Sequence, residues 1–130
     1  MVKKITIAID AMGGENAPEK TIEGVKLFLK KNKTHDDFII NLFGDKKRIE
    51  EKLEKENIDR TNLKITHTDS VVADDETPLT AIKNSKNTSM WNCISSQVNG
   101  DSDISLSAGN TGVLLVVSRM ILKMMDDVSK

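Results

Sequence analysis

The sequence predicts an α/β fold in which a mainly parallel sheet is covered by helices on both faces. Four short segments rich in β-branched and apolar residues alternate with segments of helical periodicity, and such alternation is typical of a parallel sheet. Two of these strands run directly into glycine-containing turns that open helices. The chain has 130 residues without an internal repeat or interdomain linker, so residues 1–130 should form one domain or part of one.

Composition narrows the classes of function. A net charge of -1 argues against nucleic acid as the main partner, and 3% aromatic residues without tyrosine argue against base stacking. A single cysteine, Cys93, excludes an internal disulfide and fits a reducing cytoplasm. We find no signal peptide, and the longest apolar run, Val113 to Val117, is too short to span a bilayer. We therefore expect a cytoplasmic globular protein.

The first strand and its turn organise the chain. Residues 5–9 alternate and are β-branched, which predicts a buried strand that ends at Asp10. Gly13-Gly14 then makes a turn. The signals for a helix over Ala17 to Lys31 follow in order, with Asn16 as the N-cap, Pro18 in the first turn and Glu19 as the capping-box acid.

The remaining elements follow from the same reasoning. In chain order we predict a strand at Phe38–Phe43, a helix from the N-cap Asp45 to about Glu56, a strand at Leu63–His67, a short helix at Leu79–Lys83 begun by Thr77 and Pro78, a helix from Asn87 or Thr88 to Val98, and a strand at Asp103–Leu106. On the helix that ends at Val98, Met90, Ile94 and Val98 lie on one apolar face.

A second glycine turn, Ser107 to Gly112, follows the last strand and opens an apolar helix near Asn110 or Thr111. A strand that leads through a glycine turn into a helix presents backbone N–H groups to an anion. Two such turns in one parallel sheet could face one site. Gly13-Gly14 could be only a tight turn or could serve a ligand, whereas Gly109 and Gly112 around Asn110-Thr111 favour a binding role. Asp10 could orient a ligand or brace the turn, and its place at a strand's carboxyl end favours the former.

Other familiar motifs are absent. No GxxxxGK[ST], GxGxxG, CxxC, HExxH or EF-hand pattern occurs, and the spacing of His35 and His67 does not suggest a metal site. Asp74-Asp75-Glu76 is more typical of a solvated loop than of a metal site. Cys93 is expected to be a core thiol, and Met90 and Trp91 are expected to pack in the interior.

Six short sequence motifs, in the same order along the chain, resemble those of the PlsX-type phosphate acyltransferases. They are Asp10–Pro18, Gly44-Asp45, His67–Asp69, Glu76–Lys83, Lys86–Met90 and Ser107–Gly112, within a match that runs from about Lys4 to Leu122. The resemblance implies a three-layer α/β/α fold like that of phosphate acetyltransferases and isocitrate dehydrogenases. It also implies transfer of a fatty acyl group from acyl carrier protein to inorganic phosphate, giving acyl phosphate for phospholipid synthesis. The implied enzyme is a cytoplasmic homodimer that associates peripherally with the membrane. Separately, we expect no cofactor and no metal.

Three departures from the family pattern stand out. Glu15 occupies a position where the family usually has Asp. The basic cluster reads Lys83-Asn84-Ser85-Lys86, so the usual Arg is replaced, and Lys cannot reproduce a bidentate grip on phosphate. The chain stops at Lys130, whereas family members continue well beyond, so we expect the amino-terminal part of such an enzyme.

The resemblance and the turns together suggest roles for site residues. Gly13, Gly14, Gly109 and Gly112 would form a backbone cradle for phosphate. Asn110 and Thr111 would donate to phosphate or the oxyanion, Lys83 and Lys86 would supply positive charge, and Asp10 would orient the loop.

Two alternatives remain: a non-catalytic remnant or interaction module, and a nucleotide-binding dehydrogenase fragment. The final helix is apolar nearly all round from Val113 to Met125, so residues 1–130 alone should self-associate and should not turn over substrate.

Overall fold

Strands and helices alternate along the chain in the computed structural model, which describes residues 4–32, 37–83 and 85–122. The strands are β1 (Ile5–Asp10), β2 (Phe38–Gly44), β3 (Leu63–His67) and β4 (Ile104–Ser107). The helices are α1 (Glu19–Lys31), α2 (Lys46–Lys55), α3 (Pro78–Lys83), α4 (Ser89–Val98) and α5 (Thr111–Ile121), and a 3₁₀ turn spans Ser85–Asn87.

The four strands form one all-parallel sheet in the order β3-β2-β1-β4. The chain first extends the sheet on one side of β1 and then crosses to place β4 on the other side. In the register, Asp10 lies between Phe43 of β2 and Ser107 of β4. The order of strands therefore reverses between β1 and β4, and open α/β sheets bind ligands beyond the carboxyl ends of the strands at such a reversal.

Helices pack on both faces of this sheet, which confirms the predicted fold class. Ile40 and Leu42, on one face of β2, pack in a core with the buried residues of α1 and α2. These are Ile22, Val25, Leu29, Ile49 and Leu53. The opposite face places Ala8 and Phe43 against Cys93 of α4. The alternation of side chains along β1 and β2 thus separates two apolar layers.

The predicted start of α1 was wrong. Asn16 has a φ of 58°, in the left-handed region, and the N-cap position is held by Pro18 without a side-chain hydrogen bond. Helix α1 therefore begins two residues later than an N-cap at Asn16 would give. Asn tolerates the left-handed conformation better than most residues, so it serves here as a turn residue before the helix.

The other predicted caps are confirmed. Asp45 accepts hydrogen bonds from the amides of Lys47 and Arg48, and Thr88 accepts one from the amide of Trp91. Val98, predicted on the same apolar face as Met90 and Ile94, is the last residue of α4 and is 53% exposed.

Helix α5 packs on α3 and α4 through buried Val113 and Val117. Its other side leaves Leu115 exposed by 70% and Met120 by 55%. The predicted continuation of this helix through Lys123, Met124 and Met125 lies outside the described residues. Within the described ranges, no helix combines the length and apolar character that crossing a membrane requires.

Candidate phosphate site at two glycine turns

The two glycine turns meet backbone to backbone beyond the carboxyl ends of β1 and β4. A Cβ atom added to Gly13 would lie 2.9 Å from the amide nitrogen of Gly109 and 2.7 Å from Oδ2 of Asp10. A Cβ on Gly109 would lie 3.5 Å from Cα of Gly13 and 3.0 Å from Cε of Met90. A side chain at Gly13 would therefore force the two turns apart, whereas one at Gly109 would chiefly require the end of the Met90 side chain to shift.

Gly14 and Gly112 differ from this pair in their surroundings. Gly14 has a φ of 96°, and a Cβ there would be 3.0 Å from the carbonyl oxygen of Ala108. Gly112 is exposed in the first turn of α5, where a Cβ would make ordinary contacts of 3.6 Å or more. Packing and backbone conformation therefore account for Gly13 and Gly14, the fit at Gly109 is tight, and neither effect requires glycine at position 112.

The Asp10 side chain links the two turns through hydrogen bonds. Its side chain is 2% exposed, and its carboxylate accepts three hydrogen bonds. The Oδ1 atom accepts from the Ser89 hydroxyl at 2.5 Å and from the Met12 amide at 3.2 Å, while Oδ2 accepts from the Ser107 hydroxyl at 2.7 Å. The Ser107 hydroxyl in turn accepts from the amide of Gly109 at 3.1 Å. These contacts show the bracing role for Asp10; its predicted ligand contact stays a prediction.

Ser89 and Ser107 are site residues that sequence reasoning missed. Both lie in sequence motifs on which the family resemblance rests, but the sequence analysis gave neither residue a role. Ser89 is the first residue of α4 and is fully buried, at the point where that helix passes under the end of β1. A polar residue that directly follows an N-cap at the head of an apolar helix was the available signal.

Asn110 is fully engaged in building the start of α5. Its Oδ1 accepts from the Val113 amide at 3.2 Å. Its Nδ2 donates to the carbonyl oxygens of a single loop, at 3.1 Å to Ala73, 3.1 Å to Asp74 and 2.8 Å to Glu76. In this conformation the amide holds the acidic loop against the helix and has no spare donor for a ligand. Its predicted role as a direct donor therefore needs a rearrangement.

Thr111 and Gly112 form the exposed first turn of α5. The first amides of a helix have no partner within the helix, and Asn110 serves only that of Val113 through its side chain. The amides of Thr111 and Gly112 and the Thr111 hydroxyl are thus placed at the positive end of the helix dipole. This turn offers the chemistry that an anion requires.

The two predicted lysines lie on neighbouring elements. Helix α3 begins beside α5, because Cγ of Pro78 is 3.7 Å from a Cβ placed on Gly112. Lys83 is exposed in the last turn of α3, about 7.5 Å of helix rise from Pro78, and Lys86 is exposed in the 3₁₀ turn that follows. Asn84, between the two lysines, lies outside the described residues.

Two other reactive side chains near the sheet are either buried, as Cys93 is, or already have hydrogen-bond partners, as His67 does. Burial raises the pKa of the Cys93 thiol to about 12, with a further contribution from the nearby Asp10 carboxylate. Both ring nitrogens of His67 have partners, since Nδ1 accepts from the Lys46 amide and Nε2 lies 3.0 Å from Oδ1 of Asp69. No cluster of three potential metal ligands occurs in the described ranges.

Replacing Gly13 by Ala should destabilise the fold, whereas replacing Gly112 by Ala should not. The added methyl at position 13 meets Asp10 and the Gly109 backbone, so we expect a loss of about 1–3 kcal/mol in the free energy of unfolding. At position 112 the methyl has room and alanine favours helix, so stability should change little or rise by up to about 1 kcal/mol. Urea denaturation of both variants measures the difference. Equal stabilities would show that the turns are not packed as described.

Comparison with known proteins shows which family the sequence belongs to. A sequence model described as fatty acid synthesis protein matches residues 5–130. The chain is 42% identical over 130 residues to a phosphate acyltransferase of Pelagibacter ubique, covering all of this chain and 38% of the relative. It is 34% identical over 131 residues to a phosphate acyltransferase of Bradyrhizobium diazoefficiens, covering 36% of that protein. A phosphate acyltransferase of Streptococcus uberis is 42% identical over 116 residues, which are 89% of this chain and 32% of the relative.

The matches to the Pelagibacter ubique and Bradyrhizobium diazoefficiens proteins run through both glycine turns, and the chain spans well under half the length of the curated relatives. The family model covers nearly every residue, including Asp10, Ser89 and Ser107 of the buried network. The chain therefore belongs to the fatty acid synthesis protein family, whose relatives matched here are phosphate acyltransferases.

Proposed function

We propose that this chain forms the phosphate-binding part of an acyltransferase that moves a fatty acyl group from acyl carrier protein to inorganic phosphate. The observation that carries the proposal is the contact of the two glycine turns beside the start of α5, where the strand order reverses. The printed name of the relatives, phosphate acyltransferase, supports phosphate as the acceptor.

Phosphate would bind at the first turn of α5. The amides of Thr111 and Gly112 and the Thr111 hydroxyl would donate to its oxygens, and the backbone of Gly14 would complete the cradle. Anion binding at a helix start is favoured by both the free amides and the helix dipole. In this scheme Asn110 is a positioning residue, because its hydrogen bonds fix the start of α5 and the loop beside it.

In the proposed reaction, a phosphate oxygen attacks the carbonyl carbon of the acyl thioester. The carbonyl oxygen takes up the electron pair, and the tetrahedral intermediate then expels the thiolate of the carrier protein, giving acyl phosphate. A thiol pKa of about 8.5 makes this thiolate a good leaving group, so no protein nucleophile is needed. The high pKa and burial of Cys93 are in keeping with a scheme without a cysteine nucleophile.

Lys83 and Lys86 would supply positive charge at the rim of the site. Their exposed side chains could reach toward bound phosphate or toward the acidic carrier protein. We further propose that the complete enzyme is a cytoplasmic homodimer with peripheral membrane contact, and that residues 1–130 alone do not turn over substrate.

Replacing Thr111 by Pro tests the amide of the first helical residue. Proline suits this position because its fixed φ fits a helix start, and the preceding Asn110 already has an extended ψ of 114°. The substitution removes one N–H and the hydroxyl, so the rate of acyl-phosphate formation should fall by about a hundredfold. Thr111→Ala is the matched control, since it removes the hydroxyl and keeps the amide, and its loss should be clearly smaller.

The assay for Thr111→Pro needs a complete enzyme. A chimera in which residues 1–130 replace the matched segment of the Pelagibacter ubique relative provides one, with an acyl carrier protein thioester and phosphate as substrates. Residues 1–130 assayed alone should give no acyl phosphate. Equal turnover of the Pro and Ala variants, with unchanged circular dichroism, would remove the α5 amide from the site.

Replacing Lys83 by Arg should lower the KM for phosphate in the same chimera, because a guanidinium can form two parallel hydrogen bonds to phosphate. Lys47→Arg on α2 is the control, since Lys47 is also exposed but lies outside the proposed site. If the two variants have the same KM for phosphate as the parent, Lys83 has no part in binding it.

A further inference from the structure

The acidic loop, residues 73–76, lies beside the start of α5 and is attached there by one side chain. The loop is a turn in which the Glu76 amide donates to the Ala73 carbonyl oxygen at 3.1 Å, and the Ala73 amide donates to Oε2 of Glu76 at 3.2 Å. Both of these hydrogen bonds are internal. Among the described residues, every hydrogen bond that joins the loop to another part of the chain comes from Nδ2 of Asn110. The position of the loop therefore depends on one carboxamide.

This carboxamide is shared among more acceptors than it has protons. Nδ2 of Asn110 carries two protons, but it faces three carbonyl oxygens, those of Ala73 and Asp74 at 3.1 Å and that of Glu76 at 2.8 Å. All three acceptors are neutral. A hydrogen bond from the same amide to a phosphate oxygen would be assisted by charge and roughly twice as strong as a neutral one. Phosphate is therefore able to compete with the loop for this donor.

The carboxamide also borders the proposed phosphate position. A Cβ added to Gly112 would lie 3.6 Å from Oδ1 of Asn110 and 3.7 Å from Cγ of Pro78. The surface of Gly112 thus adjoins both the Asn110 side chain and the first residue of α3, which follows the acidic loop after Thr77. A phosphate group that approaches the amides of Thr111 and Gly112 comes close to the same side chain.

Electrostatics favours departure of the loop when phosphate binds. Asp74 and Asp75 are exposed, and neither has an ion-pair partner in the described ranges. Phosphate at the start of α5 would place further negative charge near these carboxylates, and like charges repel. Helix α5 is anchored by buried Val113 and Val117, whereas residues 73–75 are exposed. The repulsion would therefore displace the loop and leave the helix in place.

We propose that Asn110 is a phosphate-sensitive latch. Without phosphate, its carboxamide holds residues 73–76 against the start of α5. When phosphate binds there, the carboxamide turns to donate to a phosphate oxygen, and the loop is released. The proposal rests on the proposed function, because it takes the start of α5 as the position of phosphate. It accounts both for the engagement of Asn110 with the loop and for its expected role as a donor to the ligand.

Closure of the loop over bound phosphate is the opposite arrangement, and it is less favourable. It would bring the Asp74 and Asp75 carboxylates toward an anion. It would also keep the Asn110 amide on neutral carbonyl groups when a charged acceptor is adjacent. The two arrangements predict opposite changes in the protection of the loop amides.

Hydrogen exchange of residues 73–76 tests the latch in the chimera described above. Exchange is followed by mass spectrometry with and without inorganic phosphate at constant ionic strength, and phosphate binding is measured separately by calorimetry. Saturating phosphate should speed exchange in residues 73–76 by about fivefold or more, because the hydrogen bonds that hold the loop are lost.

Asn110→Ser separates the latch from the helix cap. Serine is also a good N-cap residue, but its side chain is too short to reach the loop. Exchange in residues 73–76 should be fast without phosphate and should not change with it, while residues 111–117 keep the protection of the parent. Asn32→Ser is the matched control, because it removes a 2.9 Å hydrogen bond from an amide side chain to the Phe28 carbonyl oxygen at the other end of α1. This variant should respond to phosphate as the parent does.

The outcomes distinguish the latch from the phosphate site itself. Phosphate binding with unchanged or slower exchange in residues 73–76 would overturn the latch and leave the phosphate site standing. An Asn110→Ser variant whose loop exchanges as slowly as that of the parent would also overturn the latch, and so would an equal loss of protection in residues 111–117. Absence of phosphate binding by calorimetry would overturn the proposed function, and the latch with it.

Discussion

The buried carboxylate of Asp10 is the constraint on which the candidate site depends. It accepts hydrogen bonds from Ser89 of α4, Ser107 of β4 and the backbone of the first glycine turn. A carboxylate this far from water is costly unless its oxygens are satisfied, and here neutral hydroxyl and amide donors satisfy them. Three elements that are distant in sequence are thereby fixed around the end of β1.

The glycines follow from the same constraint. With Asp10 bonded to Ser107, the two turns are so close that Gly13 has no space for a side chain and Gly109 has little. This packing accounts for a structural role at both positions without reference to a ligand. Gly112 is different, because space alone does not require glycine there. Its exposed amide lies beside that of Thr111, and glycine at this position would allow a phosphate group to approach both amides closely.

Local sequence signals predicted the fold well. The boundaries of β1 and β3, and the caps Asp45 and Thr88, depend on residues only a few positions apart, so periodicity and capping chemistry were sufficient. The start of α1 was mispredicted because Asn is compatible with both an N-cap and a left-handed turn. Local pattern could not distinguish these two uses of the same residue.

The site depended on contacts that sequence spacing does not reveal. Ser89 and Ser107 meet Asp10 across 79 and 97 residues, respectively. Asn110 was expected to donate to a ligand, but its amide reaches a loop 34 to 37 residues earlier in the chain. Composition and motif order could indicate where the site lies, but only the tertiary structure assigns the partners of each polar group.

A double-mutant cycle between Asp10 and Ser107 tests the central claim that their hydrogen bond joins the two turns. The free energy of unfolding is measured for Asp10→Ala, Ser107→Ala and the double variant. We predict non-additive losses with a coupling of about 0.5–3 kcal/mol. Asp10 with Ser105 provides the control cycle, because the Ser105 hydroxyl donates to Gln97 instead, and this pair should be additive. Additive losses for Asp10 and Ser107 would contradict the account.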